Sequence, residues 1–297
     1  MFVIKKPSKI LFLGEHSAVY GFPVIGATIP LYMHLVYAFS ISWKYLGVPS
    51  LKIDQVVHFI KNRFSKVRPI EFLIFSEIPV GIGLGSSASL SLCFAEYIVT
   101  HNEYEKFDKI SLAREIENIF HGRSSGMDIL LIELNGIFYL ENKGNVLLAQ
   151  KMESCNFYFL IGAVRREIET SKIISNLNHR ISLNNKLFEI IEELGSITKS
   201  SYSAFCKRDF SSLVDNIDLA NSCLNSLNLS SGTLDYIIKK GKEFKALAGK
   251  LSGAGRGGAF ILAFKDEHDT MIALERLDED LKKNNINLLL KLRVFKV

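Results

Sequence analysis

A glycine-rich segment at residues 79–88, PVGIGLGSSA, constrains the fold of this chain more than any other feature. Three glycines fall within five positions: Gly81, Gly83 and Gly85. Glycine adopts left-handed backbone angles freely and lets a ligand approach the main chain closely. The apolar run at 71–78 predicts a strand before the segment, and the run at 90–99 predicts a helix after it. The sequence therefore predicts a strand, a tight glycine loop and the amino end of a helix in direct succession.

The end of this loop has the chemistry of an anion site. Ser86, Ser87 and Ala88 begin the predicted helix, where unpaired N–H groups and the helix dipole attract negative charge. The segment is not a Walker A loop, because no Gly-Lys-Ser/Thr follows, and it is not a dinucleotide-binding GxGxxG motif. An ordinary turn is the alternative. The two serines at the helix start favour phosphate binding over that alternative.

A second segment, KILFLGEH at residues 9–16, predicts an apolar strand with a lysine at its start and a Gly-Glu-His corner at its end. Taken alone, Lys9 is compatible with a solvent-facing lysine. Glu15 and His16 are compatible with an ordinary surface pair. This segment alone therefore does not indicate a function, and it is informative only together with the other segments.

A third segment, ENIFHGRSSGMD, carries two acidic residues that suit catalysis. Glu117 and His121 are four residues apart and so share one face of a predicted helix, which Ser111 begins. Gly126 allows Asp128 to turn inward before a strand predicted near residues 136–140. One carboxylate could bind a metal while the other accepts a proton. A helix cap followed by an unrelated loop acid is the alternative.

A fourth segment, KLSGAGRGG at residues 250–258, holds four glycines among six residues. That density costs chain entropy unless the backbone needs unusual angles or a close approach. A buttress beside the first glycine loop and a second contact to phosphate both fit. A linker does not fit, because an apolar strand follows immediately.

The pattern of elements indicates an α+β protein, because strands and helices mix without a regular βαβ rhythm. Strands joined by a Gly/Pro connection occupy residues 1–46, and residues 141–145 predict a turn. After a domain boundary near residue 150, the predicted elements are a strand at 157–164, a long, mostly helical stretch at 172–250, a strand at 259–264, a helix at 269–283 and a strand at 288–295.

Composition excludes several classes of protein. The net charge of +5, from 36 Lys and Arg against 31 Asp and Glu, suits anionic ligands but falls short of a nucleic-acid-binding surface. Residues 17–43 lack charged side chains, yet prolines interrupt them and they alternate from Leu31 onward. That alternation predicts a half-buried strand rather than a membrane span. The four cysteines have no metal-site spacing, so we expect buried free thiols in a cytoplasmic protein.

Together, the segments resemble the three motifs of the GHMP kinases, a family of small-molecule kinases. The matching segments follow one another in the family's order at residues 5–21, 79–88 and 250–258. The resemblance implies a two-domain fold. Residues 1–150 would form an N-terminal domain like ribosomal protein S5 domain 2, carrying the ATP phosphate-binding loop. Residues 151–297 would form a ferredoxin-like C-terminal domain.

Within that family, two details resemble the mevalonate kinases. GEHSAVYG is similar to their GEHxxVYG, and HGRSSGMD is similar to their HGxPSGxD, with Ser124 in place of the usual proline. In the third motif, Arg256 stands where a glycine is usual. The resemblance implies transfer of the ATP γ-phosphoryl group to the primary hydroxyl of mevalonate. Alternatives are phosphomevalonate or homoserine kinase activity, or a GHMP-fold protein that binds ligand without catalysis.

The resemblance also implies a role for each matching residue. The ATP phosphates would contact Pro79, Gly81, Gly83, Leu84, Gly85, Ser86, Ser87 and Ala88. Mg²⁺ would bind Ser87 and Glu117. Asp128 would accept the hydroxyl proton, with Lys9 beside it. The substrate would contact Glu15, His16 and Thr170. Lys250 matches a family lysine without a defined role. Mevalonate and ATP are the expected partners, without nucleic acid or membrane, and a homodimer is allowed.

Overall fold

The structure is a computed structural model, and it describes residues 1–101, 107–122, 124–144, 146–154 and 157–296. The chain forms two compact units, and each draws on more than one stretch of sequence. Unit 1 comprises Met1–Lys9, Thr28–Ile78 and Gly85–Asn135. Unit 2 comprises Ile10–Ala27, Pro79–Leu84 and Gly136–Val297. The expected boundary near residue 150 stays a prediction.

The strands are numbered in chain order: β1 (Phe2–Leu13), β2 (Val24–Phe39), β3 (Lys44–Tyr45), β4 (Ile70–Ser76), β5 (Ile137–Lys143), β6 (Val146–Lys151), β7 (Tyr158–Val164), β8 (Ala248–Ser252), β9 (Gly258–Phe264) and β10 (Leu288–Lys296). The helices are α1 (Leu51–Arg63), α2 (Ser86–His101), α3 (Lys109–His121), α4 (Met127–Leu134), α5 (Thr170–Leu183), α6 (Asn185–Cys206), α7 (Phe210–Ser226), α8 (Gly232–Glu243) and α9 (Glu267–Lys283).

In unit 1, the C-terminal part of β2 forms a sheet with β4 and β3. β2 runs antiparallel to β4, from Met33 opposite Ser76 to Phe39 opposite Ile70, and β3 adds parallel to β4. The period-two pattern of β2 is confirmed, because one set of side chains is buried: Leu31, Met33, Leu35 and Tyr37. The residues between them are half-buried or exposed. Helix α2 is buried over most of its length and forms the centre of this unit.

In unit 2, a four-stranded antiparallel sheet has the order β10-β7-β9-β8. Every residue of β8 and β9 is buried, although β8 is the last strand in this order. The first residues of β2 pair with β5, and β5 pairs with β6 as an antiparallel hairpin. Helices α5 to α9 also belong to this unit, which confirms the predicted helical stretch after residue 172.

The predicted strand, glycine loop and helix around residues 79–88 are confirmed by β4 and α2. Two helices were missed. Helix α4 lies where the sequence predicted a loop leading into a strand, because five of its eight residues are buried and no polar face marks a helical period. Helix α1 was also not predicted. The expected start of α3 at Ser111 is wrong, since Asp108 caps the helix and accepts a hydrogen bond from the Ser111 amide.

The structure confirms the prediction of buried free thiols for only some of the cysteines. Cys93 and Cys223 are buried free thiols, as expected. Burial raises the pKa of each to about 12, so both are inert at neutral pH. Cys206 is free but exposed, so the expectation of burial is wrong there. Cys155 lies outside the described residues.

Among the helices that the structure describes, none combines the length and the apolar character that crossing a bilayer requires.

Candidate active site

Unit 1 contains an ion pair between two residues that the sequence singled out. Lys9 Nζ, near the middle of β1, lies 2.9 Å from Asp128 Oδ2. The Lys9 side chain is 4% exposed, whereas Asp128 is 34% exposed, so the carboxylate can be reached from solvent while its cation cannot. Asp128 also lies in the first turn of α4, where the helix dipole attracts a carboxylate. The missed helix therefore helps to position the acid.

Glu117 lies in the same unit, on α3, and is almost fully buried. Burial raises its pKa to about 7, and the nearby charge of Asp128 adds to the increase. The hydroxyl of Ser124 donates a hydrogen bond to Glu117 Oε2 and, with Lys9 and Arg114, opposes that increase. Ser124 occupies the position of the family's usual proline, so this departure supplies the buried acid with a partner.

The end of the glycine loop lies against the same group of residues. Gly85 has φ +76°, and a Cβ there would lie 2.8 Å from Lys9 Cγ. In the first turn of α2, Ser87 Oγ lies 2.8 Å from Nε2 of His121. Burial lowers the pKa of His121, which favours the neutral ring that can accept a hydrogen bond from the Ser87 hydroxyl. The helix start, the buried acid and the Lys9–Asp128 pair thus belong to one site in unit 1.

Unit 2 contains a second group, built around a fully buried ion pair. Lys250 Nζ lies 2.5 Å from Glu15 Oε1, and their side chains are 0% and 1% exposed. Lys250 also donates to the carbonyl of Leu251 at 2.7 Å. Glu15 Oε2 has no hydrogen-bond partner among the described residues. The sequence left Lys250 without a role, and the structure makes it the partner of Glu15.

His16 follows Glu15 in a strained left-handed conformation, with φ +61°. Its Nε2 lies 3.1 Å from the carbonyl oxygen of Ala254 and must carry the proton, because a carbonyl can only accept. Burial lowers the pKa of His16 to about 4, and the cations of Lys250 and Arg166 contribute to the decrease. The imidazole is therefore neutral at physiological pH.

Arg166 is a site residue that the sequence analysis missed. Its guanidinium donates to the carbonyls of Gly81, at 2.5 Å, and Gly255, at 3.0 Å, and to the hydroxyl of Thr170, at 2.6 Å. Thr170 begins α5, so one arginine joins both glycine loops and a helix start. The available signal was the pair of arginines, Arg165 and Arg166, directly after the apolar run that forms β7.

The two glycine loops pack against each other within unit 2. A Cβ at Gly83 would lie 3.4 Å from the Ser252 carbonyl oxygen and 3.5 Å from Gly253 Cα. The amide of Ala259 donates to the carbonyl of Ile82 at 2.9 Å. This packing is the buttress that the sequence offered as one interpretation of residues 250–258.

Arg256 adopts φ +54°, an angle that suits the glycine usual at its position. Its side chain forms an ion pair with Glu167 at 3.1 Å, and its carbonyl accepts from the Glu167 amide at 2.8 Å. Arg256 therefore ties the third motif to the segment that follows β7.

The predicted site residues thus fall into two groups. Unit 1 contains Lys9, Gly85, Ser86, Ser87, Ala88, Glu117 and Asp128. Unit 2 contains Glu15, His16, Pro79, Gly81, Gly83, Leu84 and Thr170. The loop at residues 79–88 contributes to both, since Leu84 and Gly85 are consecutive in the chain.

Two family models match this chain on either side of its middle. Residues 52–136 match the GHMP kinases N terminal domain, and residues 201–283 match the GHMP kinases C terminal model. The chain belongs to the GHMP kinase family. The family resemblance noted in the three sequence motifs is thereby confirmed.

This GHMP kinase is 26% identical to two proteins named mevalonate kinase. The match to the protein from Saccharolobus solfataricus covers 90% of this chain and 91% of that protein. The match to the protein from Methanocaldococcus jannaschii covers 97% of this chain and 99% of that protein. These relatives span the whole kinase rather than one domain.

Solved structures confirm the two-domain GHMP kinase fold. The L. major mevalonate kinase in complex with R-mevalonate gives a TM-score of 0.80 at 16% identity, covering 100% of this chain and 95% of that chain. A Streptococcus pneumoniae phosphomevalonate kinase in complex with phosphomevalonate and AMPPNP gives 0.81 at 16% identity, covering 100% of both. At such identities the likeness establishes the fold, and the acceptor has to be argued from the residues.

Proposed function

We propose that this GHMP kinase is a mevalonate kinase, which transfers the γ-phosphoryl group of ATP to the primary hydroxyl of mevalonate. The observation that carries the proposal is the Lys9–Asp128 ion pair in unit 1, next to Gly85 at the start of α2. An alcohol needs a base to take its proton, and the transferred phosphoryl group needs charge neutralisation and positioning. This arrangement supplies all three within one compact group of residues.

Asp128 is the group that takes the proton from the acceptor hydroxyl. Its carboxylate is partly exposed, so a substrate hydroxyl can reach it, and its position is fixed by the 2.9 Å contact to Lys9. A positioned general base contributes about 10²–10⁴-fold to a rate. The buried ammonium of Lys9 holds that carboxylate in place and offsets negative charge that develops beside it.

The ATP phosphates bind along the glycine loop and at the start of α2. The first amides of a helix have no partner within the helix, so those at the start of α2 could donate to phosphate oxygens, whose charge the helix dipole favours. Gly85 matters here because its left-handed angle and its closeness to Lys9 leave no room for a side chain. Pro79, Gly81, Gly83, Leu84, Ser86 and Ala88 complete the proposed phosphate contacts.

The donor atoms of Ser87 and Glu117 fit Mg²⁺, which prefers hydroxyl and carboxylate oxygens and keeps several waters. Bound there, Mg²⁺ would supply charge neutralisation to the phosphates. Ser124 and His121 orient these two donors through the hydrogen bonds described above. Glu117→Gln should raise the Mg²⁺ concentration that gives half the maximal rate, and an unchanged Mg²⁺ titration would count against Glu117 as a ligand.

In unit 2, we assign the substrate contacts to Glu15, His16 and Thr170. His16 is neutral and its Nε2–H is bound to the Ala254 carbonyl, so its Nδ1 would accept a hydrogen bond from a substrate hydroxyl rather than pair by charge. The choice of mevalonate rests on the two motifs that contain His16 and Asp128, and on the name of the full-length relatives. Lys250 and Arg166 support this group by fixing Glu15 and Thr170.

A side-by-side assay tests the acceptor. Purified protein is incubated with ATP and Mg²⁺ and with mevalonate, phosphomevalonate or homoserine, and ADP release is measured. We expect kcat/KM for mevalonate to exceed the other two by at least about 10²-fold. Preference for phosphomevalonate or homoserine would reassign the acceptor. Turnover of none of them would refute the kinase function.

We expect the enzyme to act in the cytoplasm, where ATP is available, on small molecules alone. The homodimer that the family resemblance allows stays a prediction. Sedimentation velocity at micromolar concentration tests it directly, since a monomer of 33.4 kDa and a dimer of twice that mass sediment at clearly different rates.

A further inference from the structure

Four side chains of unit 1 form a closed ring of alternating charge. Lys6 Nζ lies 2.5 Å from Glu96 Oε2 and 3.1 Å from Glu133 Oε2. Lys109 Nζ lies 3.4 Å from Glu96 Oε2 and also contacts Glu133 Oε1. Each ammonium therefore contacts both carboxylates, and each carboxylate contacts both ammonium groups. The ring has no net charge.

The ring is partly withdrawn from solvent, with side chains between 12% and 35% exposed. Burial alone would lower the pKa of Lys6, but the carboxylates of Glu96 and Glu133 raise it. Burial would likewise raise the pKa of Glu96, but Lys6 and Lys109 lower it. The charges thus stabilise one another in a setting where solvent screens them less than at an open surface.

Each ring residue shares its secondary-structure element with a residue of the proposed catalytic group. The pairs are Lys6 with Lys9 on β1, Glu96 with Ser87 on α2, Lys109 with Glu117 on α3, and Glu133 with Asp128 on α4. A partly buried hydrogen bond, from Ser89 Oγ to the carbonyl of Pro7 at 2.7 Å, joins α2 to β1 near these residues. The ring thus touches every element that carries the unit 1 site.

Apolar packing alone does not fix these elements precisely along their axes. Burial of apolar surface is non-directional, and α2 and α4 are apolar on most sides. A helix that slides by one residue moves its side chains by about 1.5 Å. A misplacement of about 1 Å at a reacting group can cost about 10²-fold in rate. In α4, Glu133 and Asp128 are only five residues apart, so holding one holds the other.

We propose that the Lys6–Glu96–Lys109–Glu133 ring is a positioning device, which sets the register of α2, α3 and α4 on β1 and thereby the placement of Asp128 against Lys9. The proposal rests on the proposed function, because it is measured through phosphoryl transfer. Among the described residues, the ion pairs of the ring include neither Lys9 nor Asp128, so the ring acts through the elements rather than on substrate.

The first test is Glu133→Gln, which keeps the size of the side chain and removes its charge. We expect kcat with mevalonate to fall by at least about tenfold, while KM for ATP stays within about twofold. The matched control is Lys242→Met, which breaks the 2.6 Å ion pair with Asp218 in unit 2 and should leave kcat unchanged. An unchanged kcat in Glu133→Gln, or an equal loss in Lys242→Met, would overturn the proposal.

The second test asks whether the ring acts through Asp128. In an Asp128→Asn background the base is already lost, so adding Glu133→Gln should change kcat by less than about twofold. If Glu133→Gln slows the Asp128→Asn protein by the same factor as it slows the wild type, the ring does not act by placing Asp128. Such additivity would overturn the proposal.

A third pair of variants covers the case in which Glu133→Gln does not fold. Lys109→Arg keeps a cation between Glu96 and Glu133 and should retain wild-type kcat, whereas Lys109→Met should lose at least about tenfold. Equal rates for the two variants would overturn the proposal. Wild-type turnover is measured first: its absence refutes the proposed function and the ring with it, while an active wild type with unaffected ring variants refutes the ring alone.

Discussion

Gly85 and Lys9 contact each other so closely that a single methyl group at Gly85 would lie 2.8 Å from Lys9 Cγ. The glycine loop therefore does more than bend the chain towards phosphate. It leaves the space through which the Lys9 side chain reaches Asp128, 2.9 Å from its Nζ. The proposed phosphate-binding loop and the proposed base are therefore both in contact with Lys9.

We therefore expect Gly85→Ala to lower activity more than a variant that only strains the backbone. The added Cβ displaces Lys9 and strains a residue at φ +76°. We expect kcat to fall by at least about tenfold, since a displacement of about 1 Å at the site is costly. Steady-state kinetics with mevalonate and ATP measures the effect.

Gly144→Ala is the matched control. Gly144 has a similar angle, φ +70°, and among the described residues no atom lies within 4 Å of an added Cβ. Both variants should lose about 1–2 kcal/mol of stability from the left-handed angle, but only Gly85→Ala should lose activity. Equal kcat values for the two variants would contradict the role given to the Gly85–Lys9 contact.

The stability of the metal-free protein should depend on the protonation of Glu117. Its folded-state pKa is raised from 4.5 to about 7 by burial and by Asp128. The unfolded chain releases this proton at lower pH than the folded protein, so Glu117 costs stability progressively as pH rises from about 4.5 to about 7. Below that window the cost is absent.

Glu117→Gln removes this titration and keeps the size of the side chain. The variant should therefore gain stability over the wild type at about pH 8 but not at about pH 4.5. Urea unfolding at both pH values, without Mg²⁺, measures the difference. If the free energies of unfolding of the variant and the wild type differed by the same amount at both pH values, Glu117 would not titrate as described.

The buried pair of Lys250 and Glu15 should be strongly coupled. Lys250→Met leaves the Glu15 carboxylate without its cation, and loss of one partner of a buried pair costs about 3–5 kcal/mol. Adding Glu15→Gln removes the stranded charge and should recover part of that loss. Urea unfolding gives the free energy of unfolding of the wild type, of Lys250→Met and of the double variant.

The exposed pair of Lys242 and Asp218 provides the comparison, because a surface ion pair contributes no more than about 1 kcal/mol. If Lys250→Met were as mild as Lys242→Met, or if Glu15→Gln brought no recovery, the buried pair would not be the support that we infer for the His16 segment.

His16 should influence substrate binding without setting the pH profile. Its pKa is lowered to about 4 by burial, so it does not change charge between about pH 6 and pH 8. His16→Asn, which tolerates the left-handed angle, should raise KM for mevalonate and leave the shape of the kcat/KM profile unchanged. A limb near pH 6.5 that disappears in the variant would contradict the neutral His16.

Much of this fold could be predicted because its signals are local. The alternation in β2 and the strand before the glycine loop each depend on a few consecutive residues. Helix α4 could not be predicted in this way, since its sequence MDILLIEL is apolar on nearly every side and carries no helical period. Tertiary burial, rather than amphipathic patterning, makes that segment a helix.

The candidate site likewise has a part that could be predicted from local sequence and a part that could not. Its glycine loops and its acidic residues were visible as motifs, because close backbone approach and proton transfer demand particular residue types. The partners of those residues were not visible. Lys250 reaches Glu15 across 235 positions, and Arg166 reaches Gly81 across 85. Such pairings are products of the fold, and a single sequence contains no local trace of them.

The most direct test of the proposed mechanism is the single-turnover rate of Asp128→Asn with mevalonate and saturating ATP. Asparagine keeps the shape of the side chain but cannot take the hydroxyl proton. We predict that the rate of phosphoryl transfer falls by at least about 10²-fold, while the variant stays folded under the assay conditions and its affinity for ATP stays close to that of the wild type. A rate near that of the wild type would contradict the role of Asp128 and, with it, the proposed mechanism.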